Sequence, residues 1–211
     1  MSILNEISTL LQQGRAPKVK ELVAQAIEEG IAPQSILEEG LLSGMSIIGE
    51  KFKNNEVFVP EVLIAARAMN GGVEILKPYL VDAGVEAKGT VVLGTVKGDL
   101  HDIGKNLVKM MMEGKGLNVV DLGVDVPAQS FVDAAIENNA DVIACSALLT
   151  TTMGEMKNVV DELISRGIKG NYKVMIGGAP VTTSFCEQIG ADAYTADAAS
   201  ASDVALEFCI E

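Results

Sequence analysis

Between residues 90 and 195, five short apolar runs alternate with segments of helical periodicity, and this alternation narrows the possible folds more than any other feature of the chain. The runs fall at 90–96, 118–122, 142–146, 173–176 and, more weakly, 193–195. Helices are expected near 103–114, 128–138, 153–166, 181–189 and 199–208. Strands joined by helices form a parallel sheet with right-handed crossovers. The expectation is a doubly wound, five-stranded α/β domain whose working edge is made by the loops at the carboxyl ends of the strands.

Upstream the periodicity is purely helical. Ile3, Ile7, Leu10 and Leu11 share one face, and Gly14 is placed to end that helix. A second segment carries Val19, Leu22, Val23, Ala26 and Ile27; a third runs from Pro33 through Leu41, Met45 and Ile48; a fourth begins near Pro60 and carries Val62, Leu63, Ala66, Met69 and Leu76. Residues 51–56 read as a polar break and residues 81–88 as a linker. Short connections between four such segments imply an antiparallel bundle. The expected division is a four-helix bundle over residues 1–86 followed by the α/β domain over 87–211.

The first strand runs into Gly94-Thr-Val-Lys-Gly-Asp-Leu-His-Asp-Ile-Gly-Lys105, which contains His101, the one histidine in 211 residues, two positions after Asp99. An imidazole beside a carboxylate is how a ligand to a metal is usually oriented, although a lone loop histidine is more often surface decoration. Two further edge loops are distinctive. Ser146, Thr150, Thr151 and Thr152 place hydroxyls after the third strand, where they could also cap the next helix, and Gly177-Gly178 follows the fourth, where it could be an ordinary turn. Together they fit a long, partly polar ligand.

Several function classes are disfavoured. With 29 acidic against 16 basic residues and a net charge of -13, no basic face for nucleic acid is expected. Cys145, Cys186 and Cys209 lack Cys-x-x-Cys spacing, which fits neither a zinc site nor a disulfide framework and suits a reducing cytoplasm. No window has the run of apolar residues that a spanning helix requires, so a soluble, unsecreted protein is expected. Five residues separate Gly98 from Gly104 and Asn106 follows Lys105, so the loop is not a P-loop; a Gly-x-Gly-x-x-Gly fingerprint and a nucleophile elbow are also missing.

Asp99-x-His101-x-x-Gly104, Ser146-x-Leu148 and Gly177-Gly178, taken with the upstream bundle, resemble the three-part signature of cobalamin-binding domains that hold the cofactor base-off with a histidine as lower cobalt ligand. The chain is similar to the corrinoid proteins of methylamine- and methanol-type methyltransferase systems and to the cobalamin module of methionine synthase. The resemblance implies that His101 binds cobalt, that Asp99 holds its other ring nitrogen, and that Thr152 stands where the family often extends this relay with serine. It implies that Ser146, Leu148, Gly177 and Gly178 line a channel for the displaced nucleotide tail, with Gly104 leaving room beside it. Gly98, Asp102, Ile103 and Thr150 flank those positions and complete the candidate cofactor-binding set. Phe58 lies in the bundle segment that covers the upper face of the corrin in such proteins, with Val62 and Met69 as weaker candidates and residues 81–88 as the hinge.

The function implied is that of a methyl carrier, non-catalytic alone, forming the corrinoid subunit of a multi-component methyltransferase. Its implied partners are a substrate:corrinoid methyltransferase, an acceptor methyltransferase using tetrahydrofolate or a thiol coenzyme, and a reductive activator, with no nucleic acid and no membrane. A cobalamin-responsive sensor acting through a protein partner is the alternative, and a receiver-like signalling domain is the fold-level one.

Overall fold

The structure, a computed structural model, describes residues 2–210. It divides into two compact units, one comprising residues up to Ala87 together with Gly114–Gly116, the other Lys88–Glu113 and the chain from Leu117 onward.

The first unit is all helix. Helix α1 (Ile3–Gln12) starts at Ser2, whose hydroxyl accepts the Asn5 N–H at 3.3 Å. Helix α2 (Ala16–Glu28) has proline in its first turn. The third segment is continuous: α3 (Pro33–Ser35) passes through a π-helical stretch, Ile36–Leu42, into α4 (Ser43–Lys53). Residues 51–53, read from sequence as part of a polar break, are helical, and Lys51 and Lys53 complement the negative end of the helix dipole. Helix α5 (Val59–Asp82) has Pro78 inside it and absorbs two residues of the expected linker, which therefore spans only 83–89.

Ile7, Leu11, Val19, Val23, Ile36, Leu41, Val62, Met69 and Leu76 are buried and form the bundle's core. Gly44 lets two backbones approach, since a Cβ there would stand 3.0 Å from the Ser8 carbonyl oxygen. Among the described residues no helix is long and apolar enough to cross a membrane.

The second unit is a five-stranded parallel sheet of order β2-β1-β3-β4-β5, built from β1 (Thr90–Thr95), β2 (Asn118–Asp121), β3 (Val142–Ser146), β4 (Lys173–Gly177) and β5 (Ala193–Tyr194). Helices α6 (Ile103–Glu113), α7 (Ala128–Glu137), α8 (Gly154–Ser165), α9 (Thr183–Ile189) and α10 (Ala198–Ile210) connect and close it.

The two-residue period of the strands decides which side chains meet which helices. Val91, Leu93, Val142, Ala144 and Met175 pack on one face with Met112 of α6 and with Ala201 and Ala205 of α10. Val92, Ile143, Cys145, Val174 and Ile176 face Phe131 and Val132 of α7, Met156 and Val159 of α8, and Ile189 of α9. Both faces are covered, as an all-parallel sheet requires. The doubly wound expectation holds, with strands and helices within a few residues of their expected positions.

Candidate functional site

In the order β2-β1-β3-β4-β5 the switch point lies between β1 and β3. The helices that follow these two strands, α6 and α8, pack on opposite faces of the sheet, so their loops part and leave a crevice at the carboxyl edge. Ligands of open α/β sheets bind at such points. His101 and Asp99 occupy the loop after β1, and Leu148 to Thr152 the loop after β3.

Asp99 joins the two loops. Its side chain is fully buried. Oδ1 accepts the His101 backbone N–H at 3.1 Å and lies 2.7 Å from His101 Nδ1. Oδ2 accepts the N–H groups of Leu148 at 2.8 Å and Leu149 at 3.2 Å, and the buried Thr152 hydroxyl at 2.8 Å. Burial alone would push this carboxyl up, but the hydrogen bonds from the His101 ring, the Leu148 and His101 N–H groups and Thr152 outweigh it and hold the group well below the usual carboxylate range.

The tautomer of the neutral His101 ring follows from this. An ionised carboxylate only accepts, so Nδ1 carries the hydrogen, and in the neutral ring Nε2 keeps its lone pair. The ring is half exposed and Nδ1 is taken by Asp99, which leaves Nε2 as the nitrogen that could serve as a ligand. Leu100, Ile103, Leu148 and Leu149, all exposed, flank the pair in these two loops and give the edge an apolar surface. Such a surface suits a large, flat, partly apolar group better than a solvated anion.

The other candidate positions sort by local structure. Ser146 closes β3 in register with Thr95 and Gly177, and its carbonyl accepts the Val96 N–H at 3.0 Å. Thr150 is exposed in the loop, whereas Thr152 turns in. Asp102 receives Asn106, whose backbone N–H and side chain donate to it at 2.7 and 3.2 Å, and so opens α6. Gly98 takes φ +78°. A Cβ on Gly104 would meet nothing within 4 Å, and one on Gly177 only the Thr195 carbonyl oxygen at 3.8 Å, so space is kept free beside both. Gly178 is the opposite case: φ is +137° and a Cβ would lie 1.8 Å from the Ala147 carbonyl oxygen.

In the first unit, Phe58 stands 64% exposed as the residue before α5, with its N–H donated to Glu61 at 3.0 Å. Val62 and Met69, the weaker candidates of that segment, are buried in the bundle core and present nothing to a ligand. Their positions in α5 face the neighbouring helices, and core packing uses them.

Sequence reasoning passed over Thr95, Lys105, Asp121 and Asp125. Thr95 is buried and its hydroxyl donates to the His101 carbonyl at 2.8 Å. Lys105, 2% exposed in the first turn of α6, donates to Asp121 at 2.6 Å and to Asn106 at 2.8 Å, which pins that turn to the end of β2. A buried cation near a helix N-terminus opposes the dipole and requires such a partner. The sequence signal that points to it is a lysine at helical spacing with the apolar Val108 and Met112. The cysteines offer no thiolate: burial pushes Cys145 up to about 12, and burial followed by the charge and hydrogen bond of Asp141 does the same to Cys209.

A half-exposed imidazole, oriented by a buried carboxylate at the switch point of a doubly wound sheet, defines a ligand-binding α/β domain. The B12 binding domain family matches residues 89–205, and a second family, also described as a B12 binding domain, matches residues 3–77. Trimethylamine corrinoid protein 1 of Methanosarcina mazei is 44% identical over 176 residues, 82% of this chain and 82% of that protein. Dimethylamine corrinoid protein 3 of Methanosarcina acetivorans is 41% identical over 209 residues, 99% of this chain and 97% of that one. Among solved structures, the methanol:cobalamin methyltransferase complex MtaBC of Methanosarcina barkeri superposes with a TM-score of 0.88 at 34% identity, covering 98% of this chain and 79% of its counterpart. The chain belongs to the corrinoid proteins built on the B12 binding domain.

Proposed function

We propose that the protein is the methyl-carrying corrinoid subunit of a multi-component methyltransferase, with residues 1–86 as its helical cap and 87–211 as its cobalamin-binding domain. The observation that carries this reading is the His101–Asp99–Thr152 chain of hydrogen bonds at the switch point, at 2.7 and 2.8 Å, with Nε2 left open. The named relatives support it, since they are corrinoid proteins of trimethylamine and dimethylamine systems and of a methanol:cobalamin methyltransferase complex.

The residues present fit a corrinoid held base-off and histidine-on. His101 Nε2 would be the lower ligand. The free space beside Gly104 and Gly177, next to Ser146, Leu148 and Gly178, would take the displaced nucleotide tail. Exposed Phe58 is the cap residue assigned to corrin contact. When bound, the corrinoid supplies a low-valent cobalt that takes a methyl group and later gives it up.

The chain supplies orientation and proton control. Asp99 stays ionised at neutral pH and fixes the Nδ1–H tautomer, so the same lone pair always points outward. When the ring is released and Nε2 takes up a proton on its outward side, the carboxylate stabilises the resulting imidazolium charge through the Nδ1–H. Thr152 donates to the far oxygen and keeps the carboxylate from turning.

The partners on this reading are a substrate methyltransferase acting on a methylated amine or methanol, an acceptor methyltransferase using tetrahydrofolate or a thiol coenzyme, and a reductive activator. The protein would work in the cytoplasm, where its three unpaired thiols are stable. The test is a labelled transfer. Reduced holo-protein, mixed with labelled methylamines or methanol and the matching substrate methyltransferases, is expected to acquire one methyl per corrinoid and lose it to a second methyltransferase. Tight corrinoid binding with no transfer from any of these donors would overturn the carrier reading and favour the sensor.

A further inference from the structure

Asp125 lies in the loop between β2 and α7, outside the His101–Asp99–Thr152 chain of hydrogen bonds. It is one of three non-glycine residues at positive φ among the described residues, at 55°. Aspartate tolerates that conformation better than most side chains, yet it is held there only where the surroundings favour it.

The surroundings are the backbone of the histidine loop. Asp125 Oδ1 accepts the Gly98 N–H at 2.7 Å, and the Asp125 N–H donates to the Asp99 carbonyl at 3.0 Å. One residue therefore grips the loop on both sides of the Asp99 Cα. Gly98 is itself left-handed, at φ +78°, so two unusual conformations are clasped together. The clasp continues into the sheet: the Val126 N–H donates to the Thr95 carbonyl at 3.0 Å, and Val126 bridges Val96. Thr95 in turn holds the His101 carbonyl.

The two ends of Asp99 are thus fixed by different loops. The β3–α8 loop holds its carboxylate and the β2–α7 loop holds its backbone. A carboxylate can orient an imidazole only if its own Cα is fixed, because a shift of the peptide would turn Oδ1 away from Nδ1.

We infer that Asp125 is a positioning residue for the His101–Asp99 pair, acting by clasping the backbone of Gly98 and Asp99 so that the carboxylate meets Nδ1 and Nε2 is presented outward. The inference rests on the reading of His101 as the corrinoid ligand, but its first readout needs no corrinoid. The chain has one histidine, so a ¹⁵N-histidine-labelled sample gives a single pair of ring nitrogens.

In the apoprotein at neutral pH, the wild type is expected to show the Nδ1–H tautomer with a strongly hydrogen-bonded proton. Asp125→Asn keeps an oxygen for the Gly98 N–H and tolerates positive φ, so it should match the wild type. Asp125→Ala and Asp125→Gly should give mixed tautomers and about tenfold weaker hydroxocobalamin binding, at the low end for outer partners of a metal ligand. The glycine variant relieves the positive φ, so it remains informative if the alanine variant fails to fold. Wild-type tautomer signals in Asp125→Gly with affinity within twofold, or loss of both in Asp125→Asn, would overturn the inference. If the wild type binds no hydroxocobalamin, the corrinoid reading fails by itself, and the tautomer comparison still decides the role of Asp125.

Discussion

Asp99→Ala is expected to lower stability by about 3 kcal/mol, because it strands the Leu148 and Leu149 N–H groups in a site built to satisfy them and leaves the Thr152 hydroxyl only the Leu149 carbonyl at 2.9 Å. The loss should depend on pH in a defined direction. The folded carboxyl is held below the usual range, so its contribution is fully present above the unfolded value of about 3.9 and fades as pH falls through the folded one. Urea unfolding of both proteins below about pH 5 should therefore show a gap that narrows as pH falls past about 4. A gap unchanged at pH 3 would mean that the ionised carboxylate is not what holds the two loops together.

Gly178→Ala should be at least as damaging. A Cβ there would stand 1.8 Å from a backbone oxygen, which cannot swing aside as a side chain can, and φ +137° is closed to alanine in any case. We expect a loss of about 4 kcal/mol or failure to accumulate folded protein. Gly104→Ala makes the instructive contrast. It lies in the first turn of α6, where an added Cβ would find nothing within 4 Å, so stability should hold or rise by up to about 1 kcal/mol. Corrinoid binding should nevertheless weaken, because the methyl would fill the space assigned to the nucleotide tail. Equal stability and equal affinity in Gly104→Ala would argue against that assignment, and wild-type stability in Gly178→Ala against the tight turn.

Much of this was legible in the chain itself. Residues such as Val91 and Val92 alternate between two buried faces, which makes parallel strands easy to read. Asp99 and His101 are two residues apart in one loop, so their pairing needed no tertiary knowledge, and the Thr152 hydroxyl was placed by resemblance. What escaped were interactions whose donors carry no residue-type signal. The Leu148 and Leu149 N–H groups meet Asp99 through their backbone, and any residue but proline at those positions could do so. Asp125 reaches Gly98 across 27 positions, and only the pairing of β2 with β1 brings them together. The π-helical stretch at Ile36–Leu42 has no signature in the apolar spacing. Val62 and Met69 lie near Phe58 along the chain, but the helix turns them into the bundle, so nearness in sequence does not carry exposure.

His101 as the lower ligand of a corrinoid, bound at the switch point between β1 and β3, is the assignment on which the functional reading turns. The most direct measurement is an ultraviolet-visible titration of the folded apoprotein with hydroxocobalamin, run beside His101→Ala. One equivalent bound with a histidine-ligated spectrum that the variant loses is the predicted result; no binding by the wild type, or the same spectrum from both proteins, would contradict it.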